Sequence, residues 1–147
     1  MKNKKIFMIV LILFAIIFLL SVFLFSNFLD FISVIQKKEI YAEGTVGERR
    51  SVGIEINGTA FKFGVIPPGN NGKKEFNLKN VYTQDVQVNV YAKGDIKDLL
   101  VINENSFVLR EGGSKDMIVY FSPPHGTQKG VYKGSIVIEI RNTRIKN

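Results

Sequence analysis

Residues Ile6 to Phe25 form an unbroken apolar run of twenty residues that carries no charge. A helix rises about 1.5 Å per residue, so a run of this length spans roughly 30 Å, the hydrocarbon thickness of a bilayer. Seventeen of the twenty residues are Leu, Ile, Val or Phe. At about −0.3 to −0.6 kcal/mol each, these contribute on the order of −5 to −10 kcal/mol to insertion. The expected element is a single transmembrane helix over 6–25, and the expected first partner is the lipid bilayer.

Lys2, Lys4 and Lys5 make a basic tail at 1–5 that would equally suit a secretory signal. A signal, however, has an apolar core of only about 7 to 15 residues and then a small-x-small cleavage site. Here the core is longer and continues into Ser26-Asn27-Phe28-Leu29-Asp30-Phe31. The segment therefore reads as a retained anchor. The basic residues nearest the run lie on its N-terminal side, which favours N-inside topology. The expected location is the cell membrane, single-pass, with the C-terminal domain extracytoplasmic. Within 26–35, Phe28, Leu29, Phe31, Ile32 and Ile35 recur at helical spacing and predict an amphipathic extension of the helix. The polar segment 36–50, with Gly44 and Gly47, reads as a stalk, in which Ile40 to Ala42 is a candidate edge strand.

Past the anchor, about 110 residues remain, enough for one domain with its own core. From Gln36 onward the chain holds 17 basic and 12 acidic residues, net +5 of the whole chain's +7. These charges are interspersed rather than clustered, and a nucleic-acid interface would need a basic stripe with interleaved aromatics. With no cysteine, disulfides, zinc–thiolate sites and thiol catalysis are excluded.

The pattern of the C-terminal part has period two, with turn residues between short segments. Strands are expected at 51–57, 61–63, 74–80, 85–92, 99–102, 107–109, 115–122 and 131–141. Asn57-Gly58 is a hairpin signal. In 85–92, Val86, Val88, Val90 and Ala92 should face inward, and Gln87, Asn89 and Tyr91 outward. Met117, Val119 and Phe121 should be buried, and Ile136, Ile138 and Ile140 should point to one side of their strand, with Ser135 and Glu139 opposite. Gly134 within the last strand marks a bulge or a close backbone approach. The fold class is all-β: a seven- to eight-stranded immunoglobulin-like sandwich over 51–142, preceded by the helix and followed by a short tail at 143–147.

Several strings carry a resemblance. Phe61-Lys62-Phe63-Gly64-Val65-Ile66-Pro67-Pro68-Gly69 is followed by Phe76-Asn77-Leu78-Lys79-Asn80. Later come Phe107-Val108-Leu109-Arg110-Glu111-Gly112-Gly113, Val119-Tyr120-Phe121-Ser122-Pro123 and Gly130-Val131-Tyr132-Lys133-Gly134-Ser135-Ile136. In this order they resemble the immunoglobulin-like modules of the major-sperm-protein and hydin type, which also occur on membrane-anchored archaeal envelope proteins. The resemblance covers about residues 50 to 142 and implies a binding or spacer unit, with no catalytic residues to carry over. The anchor helix is a departure from eukaryotic major sperm proteins.

Chemistry-bearing residues are few. The lone histidine, His125, sits in the turn Pro123-Pro124-His125-Gly126-Thr127, with no nucleophile or carboxylate beside it in sequence. Asp95-Ile96-Lys97-Asp98 lacks the dense carboxylate spacing of a calcium loop. Asn57-Gly58-Thr59 is an N-glycosylation sequon, so Asn57 is a candidate glycan acceptor. Tyr91 and Tyr120, in outward phase on two well-marked strands, are candidate contact residues. No catalytic, cofactor or metal site is expected, and no small-molecule substrate or nucleic acid. The expected protein is a non-enzymatic, membrane-anchored binding or structural unit whose protein partner belongs to the envelope or a membrane complex. The alternatives are an accessory subunit of a membrane transport or secretion complex, and a cytosol-facing scaffold.

Overall fold

Helix and strand meet without a linker: α1 (Lys2–Ser33) ends at Ser33, and β1 (Val34–Val46) begins at the next residue. In this computed structural model, residues 2–48 and 60–143 are described, with side chains placed at 8, 10–25, 33–48 and 60–143. Beyond β1 come β2 (Ala60–Ile66), β3 (Gly72–Lys79), β4 (Val86–Gly94), a 3-10 turn (Lys97–Leu99), β5 (Leu100–Ile102), β6 (Ser106–Leu109), β7 (Ser114–Phe121) and β8 (Gly130–Asn142). The strand expected at 51–57, its Asn57-Gly58 hairpin and the Asn57 sequon lie outside the described residues, as do the side chains of the amphipathic stripe at 28–32.

Two sheets carry the strands, in the orders β2-β1-β8-β4-β6 and β3-β7-β5. They pack face to face. Phe63 of the first sheet stacks on Phe121 of the second at 5.7 Å between ring centroids, and Phe61 meets Phe76 edge-on at 5.3 Å. Offset and edge-on pairs of this kind are the favourable aromatic geometries. The buried core draws Val86, Val88 and Val90 from β4, Ile136 and Ile138 from β8, and Met117, Val119 and Phe121 from β7. These are the inward phases that period two predicts. Each such side chain contributes about 1.5 to 3 kcal/mol by leaving water.

The stalk expected at 36–50 is replaced over most of its length by β1. This strand pairs antiparallel with β8 from Val34↔Arg141 to Val46↔Gly130, and parallel with β2. Its second half alternates, with Ala42, Gly44 and Val46 buried between partly buried neighbours. Its first half, from Ile35 to Glu39, is exposed on both phases. The three-stranded sheet does not cover that part, so the sequence there has no reason to alternate. The helix begins at Lys2, which takes the basic residues of 1–5 into α1, and Val34 and Ile35 belong to the strand rather than to a helical extension.

β8 is buried on both faces over residues 136–139. Inward Ile136 is fully buried, and so are outward Val137 and, nearly, outward Glu139. Glu139 lies on the face opposite Ile136 and Ile138, as the alternation predicts, and is flanked there by Lys37 of β1 and Asn89 of β4. Its carboxylate accepts a 2.6 Å hydrogen bond from Arg141 Nε, and an Arg141 NH donates to the Ser33 hydroxyl at 3.5 Å. The last residue of α1 is thereby tied to the last turn of β8.

Candidate interaction surface

A groove of ≈ 500 Å³ runs between the sheets on one side of the sandwich, lined by Val90, Tyr91 and Ala92 of β4 and by Leu100, Val101 and Ile102 of β5, with Lys97, Asp98 and Asn105. Strand length creates it. β6 pairs with β4 only from Val86↔Leu109 to Asn89↔Ser106. Beyond Asn89, no strand among the described residues pairs with that side of β4, although Val90 N–H donates to Asn105 C=O at 2.7 Å. The β4 edge therefore faces the groove, and an unpaired edge is a template for added chain.

Val101 is the exposed apolar residue of this groove, at 55%. It is the middle residue of Leu100-Val101-Ile102, whose two neighbours pack against the core. Alternation then forces Val101 outward. That signal was available in the sequence, where a three-residue apolar strand must expose one phase, but it did not distinguish Val101 from its neighbours.

Tyr91 and Tyr120 are both half-buried and in outward phase, yet they belong to different sheets. Tyr91 lines the groove. Tyr120 does not, and instead stands beside Val101 through the pairing Val101↔Tyr120. The two tyrosines consequently belong to the outward faces of different sheets rather than to one continuous face. The Lys93 ammonium lies 5.8 Å from the Tyr91 ring centroid and 3.1 Å from a Glu39 carboxylate oxygen. Its hydrogen bond to Glu39 raises the lysine pKa above its ordinary value.

His125 is exposed at the end of the sandwich remote from α1, with its ring packed on the α-carbon of Gly69. There the Pro67-Pro68-Gly69 turn is held to the next by Gly69 N–H donating to Pro123 C=O at 2.8 Å. That packing is structural. Asp95 and Asp98 are exposed, and among the described residues no three His, Cys, Asp or Glu side chains are placed to share a metal ion.

At the other end, near Ser33, Asn80 is a hub. It is 3% exposed. Its Nδ2 donates to the carbonyls of Gln84 at 2.8 Å, Leu109 at 3.0 Å and Arg110 at 3.0 Å, and its Oδ1 accepts from Tyr82 N–H at 3.0 Å. Tyr82 in turn donates its hydroxyl to Gln36 of β1 at 2.9 Å. One amide thus joins the β3–β4 loop to the turn after β6.

On α1, Met8 and every residue from Val10 to Phe25 are exposed on all sides of the helix. Among the described residues, no helix is long and apolar enough to cross a membrane. No family model matches the chain, and neither a curated protein nor a solved structure matches it.

Proposed function

We propose that this chain is a single-pass membrane protein in which α1 anchors a non-catalytic, immunoglobulin-like domain of the major-sperm-protein and hydin type at the outer face of the cell membrane. There it binds a protein of the envelope. The observation that carries this reading is the exposed apolar surface of α1. A helix apolar all round must be covered by protein or lipid, and among the described residues no strand of the sandwich covers 10–25. Its one described interior polar side chain agrees, since the Ser21 hydroxyl donates back to Phe18 C=O at 2.8 Å and asks nothing of the surroundings. Two facing sheets of mostly antiparallel strands support the immunoglobulin-like reading, and the absence of a transferable catalytic motif supports a binding role.

The test is extraction and sidedness. The full chain should stay with membranes through alkaline carbonate, and protease added to intact cells should digest the sandwich. Release by carbonate would remove the anchor. Retention with protection from protease would move the domain to the cytosolic side, in favour of the scaffold alternative. Association with a transport or secretion complex that survives loss of the sandwich surface, but not scrambling of 28–35, would favour the accessory-subunit alternative.

For the partner surface, the groove beside β4 is the first choice. The pair of substitutions Tyr91→Ala and Val101→Asp is expected to lower partner recovery by crosslinking about tenfold, the effect of losing roughly 1.4 kcal/mol of binding. Tyr120→Ala, outside the groove, should have a smaller effect. Tyr91 and Tyr120 are half-buried and Val101 is paired with Tyr120, so each variant should itself lose on the order of 1 kcal/mol of stability, which thermal melting reads separately from recovery. Unchanged recovery in the double variant would remove the groove from consideration.

A further inference from the structure

The absence of a linker between α1 and β1 places one end of the sandwich against the lipid. Eight residues of helix, 26–33, separate Phe25 from the first strand, a rise of about 12 Å. The headgroup layer on one side of a bilayer takes up about 5 to 8 Å of this. The start of β1 then stands within about one Debye length, roughly 8 Å, of the headgroups, and closer still when the helix tilts.

Strand register shows which residues share that end. Val86 is paired with both Leu109 and Asn142, and Arg141 with Val34, so the β3–β4 loop, the turn after β6 and the end of β8 all lie beside Ser33. The tip of the β3–β4 loop is Val81, 78% exposed and the most exposed large apolar residue among the described ones. Exposed Lys79 lies two residues before it, and exposed Arg110 is joined to the same loop through Asn80. Two exposed carboxylates, Asp85 and Glu111, share this end, and the Asp85 carboxylate is occupied in accepting the Glu111 N–H at 2.9 Å.

We infer that this end of the sandwich is a membrane-contacting foot. Val81 inserts at the headgroup level, and Lys79 and Arg110 bind anionic lipid of the bilayer that holds α1. Apolar tip and flanking cations are the combination that an anionic interface rewards. The foot rests on the membrane-anchor reading above, and it fixes how the domain stands: seated on the bilayer with the His125 end outermost, not swinging on a stalk.

The chain has no cysteine, so a single introduced thiol can be labelled uniquely. Full-length Val81→Cys and Asp95→Cys, each carrying an environment-sensitive fluorophore, are reconstituted in phosphatidylcholine vesicles with or without phosphatidylglycerol. Quenching by headgroup-spin-labelled lipid is then read. Quenching at position 81 is expected to exceed that at 95 about twofold or more and to rise further with phosphatidylglycerol. Adding Lys79→Glu and Arg110→Glu should abolish that rise while leaving the thermal melt unchanged. Flotation with the vesicles separates the two readings. Protein that floats but is quenched equally at 81 and 95 overturns the foot alone. A phosphatidylglycerol effect that survives both charge reversals overturns its electrostatic part. Protein that fails to float overturns the anchor and the foot together.

Discussion

Gly134→Ala is expected to destabilise the sandwich by about 3 kcal/mol and to lower its Tm by about 10 °C or more, whereas Gly130→Ala, four residues earlier on the same strand, should be nearly neutral. A Cβ at Gly134 would sit 2.0 Å from the Lys93 carbonyl oxygen and 2.8 Å from Ile96 Cγ2, while one at Gly130 meets nothing within 4 Å. At Gly134 the end of β4 lies against β8, with Gly94 in left-handed conformation at φ +80 and Ile96 N–H donating to Lys133 C=O at 3.3 Å. Neither neighbour can yield cheaply. The Lys93 oxygen is backbone, and Ile96 is fully buried. Over-packing of a well-filled site usually costs about 1 to 3 kcal/mol, and here the obstacle is main chain on a central strand. Thermal unfolding of the full chain in detergent, followed by near-ultraviolet circular dichroism, checks the pair. Equal melting of the two variants would mean that the β4–β8 approach is looser than described.

Asn80→Asp is expected to cost about 3 kcal/mol at neutral pH, because it removes the donors that satisfy three carbonyls and sets a buried carboxylate against them. The substitution is nearly isosteric, so the loss is electrostatic. Its pH dependence has a definite sign. In the fold, the carbonyls of Gln84, Leu109 and Arg110 oppose negative charge at this position. The folded pKa of the new carboxyl is therefore raised above its unfolded value near 3.9. A raised pKa means that the neutral acid, which can still donate one hydrogen bond, contributes stability that is fully present below the unfolded pKa and is lost as pH rises through the folded one. The gap between variant and parent should thus be smallest below about pH 4 and widest at neutral pH. Melting curves of both chains from acid to neutral pH measure it. A gap that widens on acidification would contradict the hydrogen-bond assignment at Asn80.

The strands from β3 to β8 were legible in the sequence to within about two residues at each end, because period two records the core-facing side directly, whereas β2 was expected only at 61–63 and runs from Ala60 to Ile66. Val86, Val88 and Val90 are the plain case. Gly134 was legible as a constraint, and the structure shows which one: a close approach to Lys93. What failed to show was whatever depends on a neighbouring element. The outer half of β1 carries Lys37, Lys38 and Glu39 with no alternation, because among the described residues both of its faces are exposed, and so it read as a stalk. Glu139 sits in outward phase and is nonetheless buried, flanked by Lys37 of β1 and Asn89 of β4. Tyr91 and Tyr120 have the same phase on their own strands, and only sheet membership separates them. The groove was invisible in sequence because it arises from the length of β6, which stops opposite Asn89.

By itself, then, the sequence determined the two materials of this protein: a long apolar helix, and a chain of alternating strands that must bury one face. Both are local properties, written in successive residues by hydrophobicity and its period. The tertiary structure alone decided how they are joined and what they present. Pairing β1 along the whole of β8 turns the expected stalk into a central strand. It seats the sandwich directly on the helix, gathers Lys79, Val81 and Arg110 beside Ser33, and leaves the β4 edge open next to Val101. Such features come from register and strand order, where residues distant in the chain become neighbours, and no local pattern encodes which ones meet.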